Sequence, residues 1–472
     1  MSSLNGTLAI ASASLQSSAL GIQVAGSNLS NVANPAYARE RVNLGTVADS
    51  SGRSYGAHVL SVTGLRDVMM DASIVREGGN LAYLDATQRA LQLGQMALGQ
   101  EIDRQGSTPE AQAAAQGLDN SASLASGLTD FFNAAQSLSV SPASSVDRQL
   151  FLLKAGELAS RFASVDQRIG QVQADLGRDL TFRTAAANGL ITAVAESAAA
   201  LNTARFNNVT SAPVLKDTAQ SRLEELGKMI GFTATYDADN RLTVQVGNVT
   251  LVDKDHAVGR LESYTDAAGL VQVRAVASDG VTTAPLQPRG ELAGIIDARD
   301  GGIQKLRDQV DGVAKAIITE VNALHRAGIG LDGGTGLDLF TGTGSATMGV
   351  NAALIADVRK LQVSGDGASG DNSVALAIAA LGNTPIPALG RLTPGQSYNQ
   401  SAAQFGQDLA STNRRRADQD SVSAALLRQR ESVSGVSQDE EMASLITYQR
   451  AYQSAARVIS VVDELMQSLI SL

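Results

Sequence analysis

Apolar residues recur at seven-residue intervals at both ends of the chain. Near the N-terminus Leu8, Leu15, Ile22 and Leu29 form one series, and Leu4, Ala11, Ser18, Ala25 and Val32 form a second. Two interleaved series of this kind make an a/d stripe, the pattern of a helix that pairs with another helix. Three of these nine residues are Ala or Ser, so a partner helix could approach closely. No charged residue falls within 1–34, and Asn34-Pro35 ends the segment, because proline steers the residue before it out of helical conformation. The far end mirrors the first. Leu445, Tyr452, Ile459 and Met466 lie seven apart, as do Tyr448, Ala455, Val462 and Leu469. Ser437 and Glu440 have capping-box spacing ahead of this run, and Asp439, Glu440 and Glu441 sit where a helix dipole favours negative charge.

Between the ends the pattern predicts short strands at Arg41–Leu44 and His58–Val62, then a helical start near Asp67 and a strongly helical stretch over 81–205. Within it Phe162, Val165, Ile169, Val172 and Leu176 keep a 3-4-3-4 spacing, which predicts a bundle helix far longer than average. After a helix over 214–230 the period drops to two. Phe232–Tyr236, Arg241–Val246, Val249–Val252, Leu270–Ala277 and Val281–Ala284 read as strands around turns at Asp237–Asn240, Gly247-Asn248 and Ser278-Asp279-Gly280. Helical periodicity returns over 291–326, and a Gly-rich stretch fills 328–349. Further helices are expected at Ser373–Leu381 and at about 398–432. The predicted fold is mainly α with a β-rich insert: paired N- and C-terminal coiled-coil helices, a long-helix bundle and a small outward β domain. The domains expected are 1–36 with 437–472, then 37–205 with 290–436, and the insert at 206–289.

Composition narrows the chemistry. The 472 residues include no Cys, no Trp and three His, in three separate segments (His58, His256 and His325). That removes disulfides and thiolate nucleophiles and leaves little for a zinc site or a catalytic triad. A net charge of −10 argues against nucleic-acid binding. The one basic run, Arg414-Arg415-Arg416, is flanked by Asp418 and Asp420 and reads as a solvated helix face. Gly333–Phe340 fits one calcium nonapeptide, but that repeat works only in stacked copies, so a Gly-rich connection is the better reading. No metal, cofactor or catalytic residue is expected. No cleaved signal peptide and no uninterrupted apolar span is visible, which by itself would place the chain in the cytoplasm, without membrane insertion. Burying five or six large stripe residues stabilises a terminal helix by less than ordering about 30 residues costs in backbone entropy. Each terminal helix therefore needs a partner.

The flanks of the two helices carry a resemblance. Ser27-Asn28-Leu29-Ser30-Asn31-Val32-Ala33-Asn34-Pro35-Ala36-Tyr37-Ala38-Arg39 resembles the signature near the N-terminus of the flagellar axial proteins, and Ser434-Gly435-Val436-Ser437-Gln438-Asp439-Glu440-Glu441 is similar to a C-terminal block of their hook-associated members. Gly290–Gly294, Asp297–Asp300, Val321–His325 and Gly333–Phe340 resemble central blocks of the same proteins. This sequence departs from the usual Thr-Pro-Gly-Tyr, having Pro35-Ala36-Tyr37.

The resemblance implies a structural subunit, not an enzyme. It would form the junction between flagellar hook and filament, as a homo-oligomeric ring or helical layer touching hook protein and the next hook-associated protein. It implies export by the flagellar type III apparatus to the extracellular flagellum, overturning the cytoplasmic default, and an export chaperone on the C-terminal helix. The expected assembly interface is Leu8, Leu15, Ile22, Leu29, Val32, Leu445, Tyr448, Tyr452, Ile459, Val462, Met466 and Leu469. The signature residues are Asn28, Asn31, Asn34, Pro35, Tyr37, Ser434, Gly435, Val436, Asp439, Glu440 and Glu441. Two alternatives stand beside this: a flagellar hook or rod subunit or third hook-associated protein, and a secreted binding module in 206–289.

Overall fold

The computed structural model describes residues 2–34, 36–48, 54–99, 123–207, 212–239 and 241–470. The first helix, α1 (Ser2–Ser30), is followed by an antiparallel hairpin, β1 (Glu40–Ala48) and β2 (Ser54–Gly64). Helices α2 (Val68–Ala97), α3 (Leu124–Val140), α4 (Ser145–Asn207) and α5 (Ala212–Met229) come next. Then follow two antiparallel sheets. One joins β3 (Thr233–Tyr236), β4 (Leu242–Val246), β5 (Val249–Asp253) and β6 (His256–Ala257) in that order. The other joins β7 (Arg260–Thr265), β8 (Val271–Val276) and β9 (Thr283–Pro285). The chain returns through α6 (Glu291–Asp297), a π-helical turn at Ala298–Ile303, α7 (Gln304–Ala327), and a small ladder of β10 (Phe340–Thr341) with β11 (Gly349–Val350). It ends with α8 (Ala352–Ala356), α9 (Ser373–Leu381), α10 (Pro394–Ser434) and α11 (Gln438–Ile470).

The spine is α4, 63 residues long. Phe151, Leu158, Phe162, Val165, Ile169, Leu180, Ile191 and Val194 are all buried along it, at the three- and four-residue steps of a bundle helix. Within the strongly helical region expected over 81–205, α3 closes at Ser141 and Pro142 turns the corner before α4. Strand β7 was not legible, because Leu261 is its one buried residue and no alternation marks it. Its polar face is used instead, with Glu262 paired to Arg274 across the ladder and that guanidinium 4.7 Å from the Tyr264 ring centre. Val244, Val249 and Leu251 belong to the same apolar core as α4, so the sheets share the body's core. The Gly290–Gly294 block has a backbone reason. Gly290 has φ +84°, and a Cβ on Gly294 would lie 2.3 Å from the Tyr83 carbonyl, so α6 can cross α2 only at glycine.

The ends form a second unit. α1 pairs along α11, and the hairpin rides on α1 through a separate small core of Val24, Val42 and Val62. The boundary expected at residue 36 places that hairpin with the body, and these valines pack it on α1. The close seam on α1 is the series of small residues: Ala11, Ser18 and Ala25 are buried, as is Gly21. The large series lies beside it. Leu15, Ile22 and Leu29 are half-buried and Leu8 is exposed. This corrects the weighting of the stripe, since small residues let two backbones approach where leucines would hold them apart. By length and mean hydropathy (1.3 over Leu4–Ser30) α1 is also apolar enough to cross a membrane. It is better accounted for by this seam, where Ser17, Ser18 and Asn28 are buried against protein.

Gly21 faces Tyr448 so closely that a Cβ would lie 2.6 Å from the ring. Gly21→Val is therefore expected to push Tyr448 out of the seam and cost the terminal unit about 1–3 kcal/mol. Loss of exchange protection confined to α1 and α11 would report it.

His325 is fully buried, with Nδ1 2.6 Å from the Leu337 carbonyl oxygen and Nε2 accepting the Gln362 N–H at 3.1 Å. Burial lowers its pKa, and the carbonyl of Leu337 and charge of Asp338 only partly oppose that. Because the folded value lies below the unfolded one, near 6.5, its contribution is complete above that pH and is lost as pH falls below it. The body's urea midpoint should drop between pH 7 and pH 5, and His325→Gln should flatten that drop.

Candidate assembly joint

The two units meet at a buried polar joint built from the chain that leaves α1. Asn31 Nδ2 donates to the Ser27 carbonyl at 3.0 Å, and Asn34 Oδ1 accepts the Ala36 N–H at 3.1 Å, turning the chain back along the helix. This Asx-type turn needs a short amide side chain at 34. The turn brings Tyr37, Arg39 and Glu40 against Asn28, which is 1% exposed.

Asn28 uses both ends of its amide. Oδ1 accepts the Tyr37 hydroxyl at 2.8 Å and the Glu40 N–H at 2.9 Å. Nδ2 donates to the Glu40 carbonyl at 3.0 Å and to Glu441 Oε2 at 2.9 Å. Four hydrogen bonds fix the amide's orientation and join α1, β1 and α11 through one side chain. Arg39 completes the link: Nε donates to Glu441 Oε1 at 2.7 Å and a terminal nitrogen to Glu440 Oε2 at 2.6 Å, while its N–H donates to the Ser434 carbonyl at 2.9 Å. The acidic start of α11, expected to serve as a cap, is turned onto this arginine. Burial raises the Tyr37 phenol well above its ordinary value, keeping it a neutral donor.

A second node ties the joint to the body. Arg66 donates to Asp217 Oδ1 on α5 and to Asp71 Oδ2 on α2, both at 2.9 Å, and to the Ala36 carbonyl at 2.5 Å. The other oxygen of Asp217 accepts the Ala38 N–H at 2.9 Å. The Arg66 side chain is 3% exposed, so one guanidinium spans three segments in a water-poor site, where charge-assisted bonds are strongest. Nearby, Arg430 of α10 reaches Glu224 of α5 at 2.5 Å. Glu40 is different: it is buried, and its Oε1 has no hydrogen-bond partner. Burial, and then the charge of Asp217, push its carboxyl up to about 7.

Of the signature residues, Asn28, Tyr37, Glu440 and Glu441 come together here, and Asn31 and Asn34 shape the approach. Ser434 is buried and lends its carbonyl. Gly435 closes α10, where a Cβ would lie 2.2 Å from the Glu431 carbonyl oxygen. Val436 is half-buried, Asp439 is exposed, and Pro35 lies outside the described residues. Among the heptad residues Val462 is buried, and Leu445, Tyr448, Ile459 and Met466 are half-buried. Tyr452 is exposed, Val32 sits exposed in the turn past the end of α1, and the side chain of Leu469 lies outside the described residues. Sequence reasoning missed Glu40, Arg66, Asp71 and Asp217. Arg39 was inside the signature, but nothing in sequence pointed Arg66 to a carboxylate on α5. Among the described residues no group of three or more His, Asp or Glu is arranged to hold a metal.

The buried joint brings together Asn28, Tyr37, Glu440 and Glu441, residues that carried the flagellar axial resemblance. Residues 117–340 match the flagellar hook-associated protein FlgK helical domain, and residues 428–472 match the C-terminal region of the flagellar basal body rod FlgEFG proteins. Over 94% of its length the chain is 24% identical to flagellar hook-associated protein 1 of Bacillus subtilis (strain 168), of which the match covers 93%. The chain thus carries a helical domain of the hook-associated FlgK type and a C-terminal region of the rod-protein type. The flagellar hook junction protein FlgK from Burkholderia pseudomallei is a solved structure similar to 57% of this chain at 19% identity, with a TM-score of 0.47. That likeness covers 46% of its own chain, less than half.

Proposed function

We propose that this protein is a structural subunit of the bacterial flagellum that forms the junction between hook and filament, assembling through its terminal helices. One observation carries the reading. The paired ends are held by the joint, yet α11 still leaves Met442, Ile446, Val458, Val461 and Leu465 exposed, while Leu8 and Ile10 are exposed on α1. A face of that size on a helix pair is covered when copies pack side by side. In this reading the subunits form a ring or helical layer with hook protein on one side and the next hook-associated protein on the other. Export through the flagellar type III apparatus delivers them, with a chaperone holding α11 beforehand. The exposed stripe is what such a chaperone would cover. The division into a terminal unit, an elongated body and a sheet region is part of the same proposal. A separate binding module in 206–289 is disfavoured because those strands share the body's core and fall within the 117–340 match.

Deleting residues 438–472 tests the proposal. The truncated chain should keep the body's helices by circular dichroism and should fail to cap hook ends or hold filament subunits in cells lacking the native protein. Normal filaments from the truncated chain would refute it.

A further inference from the structure

Beside Asn28 a cavity of about 380 Å³ opens between α1, α11 and β1. Part of its wall is apolar (Val24, Val42 and Leu65), and Arg39, Arg41, Glu440 and Glu441 line the rest. Glu40 lines it, 5% exposed, and its Oε1 has no hydrogen-bond partner among the described residues. Each other acid of the joint has a cation: Glu440 and Glu441 have Arg39, and Asp71 and Asp217 have Arg66. Arg39 is committed to Glu440 and Glu441, and among the described residues no ion pair joins Arg41 to Glu40, so this buried carboxylate is complementary to a further positive head carried in on a long aliphatic stem. We propose that the cavity is a socket for an arginine from α11 of a neighbouring copy, which pairs with Glu40 when subunits assemble.

The inference rests on the self-assembly reading above. A second copy is the occupant because α1 has no charge to offer, and the exposed apolar face of α11 beside the socket already requires another chain. α11 carries two arginines, Arg450 and Arg457. Both are exposed, and neither has an ion-pair partner among the described residues. Guanidinium suits the site better than ammonium, because its weaker hydration lowers the cost of entering a buried slot. Pairing also changes protonation. In the free chain the Glu40 carboxyl titrates at about 7. It faces Tyr37, Arg39 and Arg41 on its own segment, Glu440, Glu441 and Tyr448 on α11, Asp217 on α5, and the Arg66–Asp71 pair. An entering arginine favours the ionised form, so assembly should strengthen as pH rises toward 7.5 and level off above that.

The experiment uses the full chain, with Arg450→Gln and Arg457→Gln made singly at these exposed positions. One of the two should raise the concentration needed for assembly at pH 7.5 at least ten-fold and remove its pH dependence; unchanged assembly by both overturns the socket. In parallel, Glu40→Gln keeps the side chain's shape. It should raise the concentration needed for assembly at pH 7.5 at least ten-fold and remove the pH dependence. Unchanged assembly by Glu40→Gln overturns the socket and leaves self-assembly standing. Failure of the wild-type chain to associate at any pH overturns the assembly reading and the socket with it.

Discussion

Asn28→Ala is expected to unfold the terminal unit while leaving the body folded. The substitution removes an amide that satisfies a hydroxyl, a backbone N–H, a backbone carbonyl and a carboxylate, all at the joint. Each buried group left without a partner costs about 1–3 kcal/mol. Water can reach some of them once α11 loosens, so a net loss of about 3–5 kcal/mol is the reasonable magnitude. The effect stays local because the core of Val24, Val42 and Val62 is separate from the body's core. Hydrogen exchange should show α1, the hairpin and α11 losing protection together while α4 and α7 keep theirs. Asn28→Asp sharpens the test. It retains an acceptor for Tyr37 but puts a second carboxylate against Glu441, and it should be no milder than alanine. Uniform loss of protection across the chain would contradict the account, as would a cost below about 0.5 kcal/mol.

The second large effect lies at the corner between α3 and α4. Arg148 is 1% exposed, and no carboxylate among the described residues is bonded to it. Its Nε donates to the Pro142 carbonyl at 2.7 Å, and one terminal nitrogen donates to the carbonyls of Leu361 at 2.8 Å and Val358 at 3.2 Å. Burial depresses its pKa, opposed weakly by Asp332. Guanidinium chemistry keeps it charged, so the site holds a buried cation solvated by peptide carbonyls. Arg148→Met fills most of the same volume but leaves the Pro142 and Leu361 carbonyls without their donor, while Val358 keeps the Leu361 N–H. A loss of about 3–4 kcal/mol is expected, read as a lower urea midpoint for the body. Arg148→Lys should recover little of it, since one ammonium cannot place donors on both sides of the corner.

What was legible in the sequence follows from which interactions are periodic. The length of α4, the strands β4, β5 and β8, and the pairing of the end helices all rest on apolar spacing, which is written locally. Thr393 and Gln396, which cap α10, left a local mark too, though the helix was expected to begin a few residues later. The joint was half legible. Its Asn28, Tyr37, Glu440 and Glu441 lie in the signature blocks, but Arg66 and Asp217 are 151 positions apart and neither belongs to a pattern. Their meeting is a consequence of how α2 and α5 dock on the hairpin. The choice of the small series over the leucines on α1 was likewise invisible. A heptad tells which side of a helix is apolar, and only the neighbour's side chains, here the Tyr448 ring over Gly21, decide which rows touch.

The bond from Asn28 to Glu441 closes 413 positions of chain into a single loop. Closing a loop of that size costs about 5 kcal/mol in chain entropy if the intervening residues are disordered, and far less once the body between them has folded. The seam between α1 and α11 is therefore the highest-contact-order element of the molecule and should be the last to form. A subunit that stops short of Glu441 would have an intact body and no seam. The closing bond thus works as a test of completeness: only a chain that has arrived whole, with its body already folded, gains the ends that let it join its neighbours.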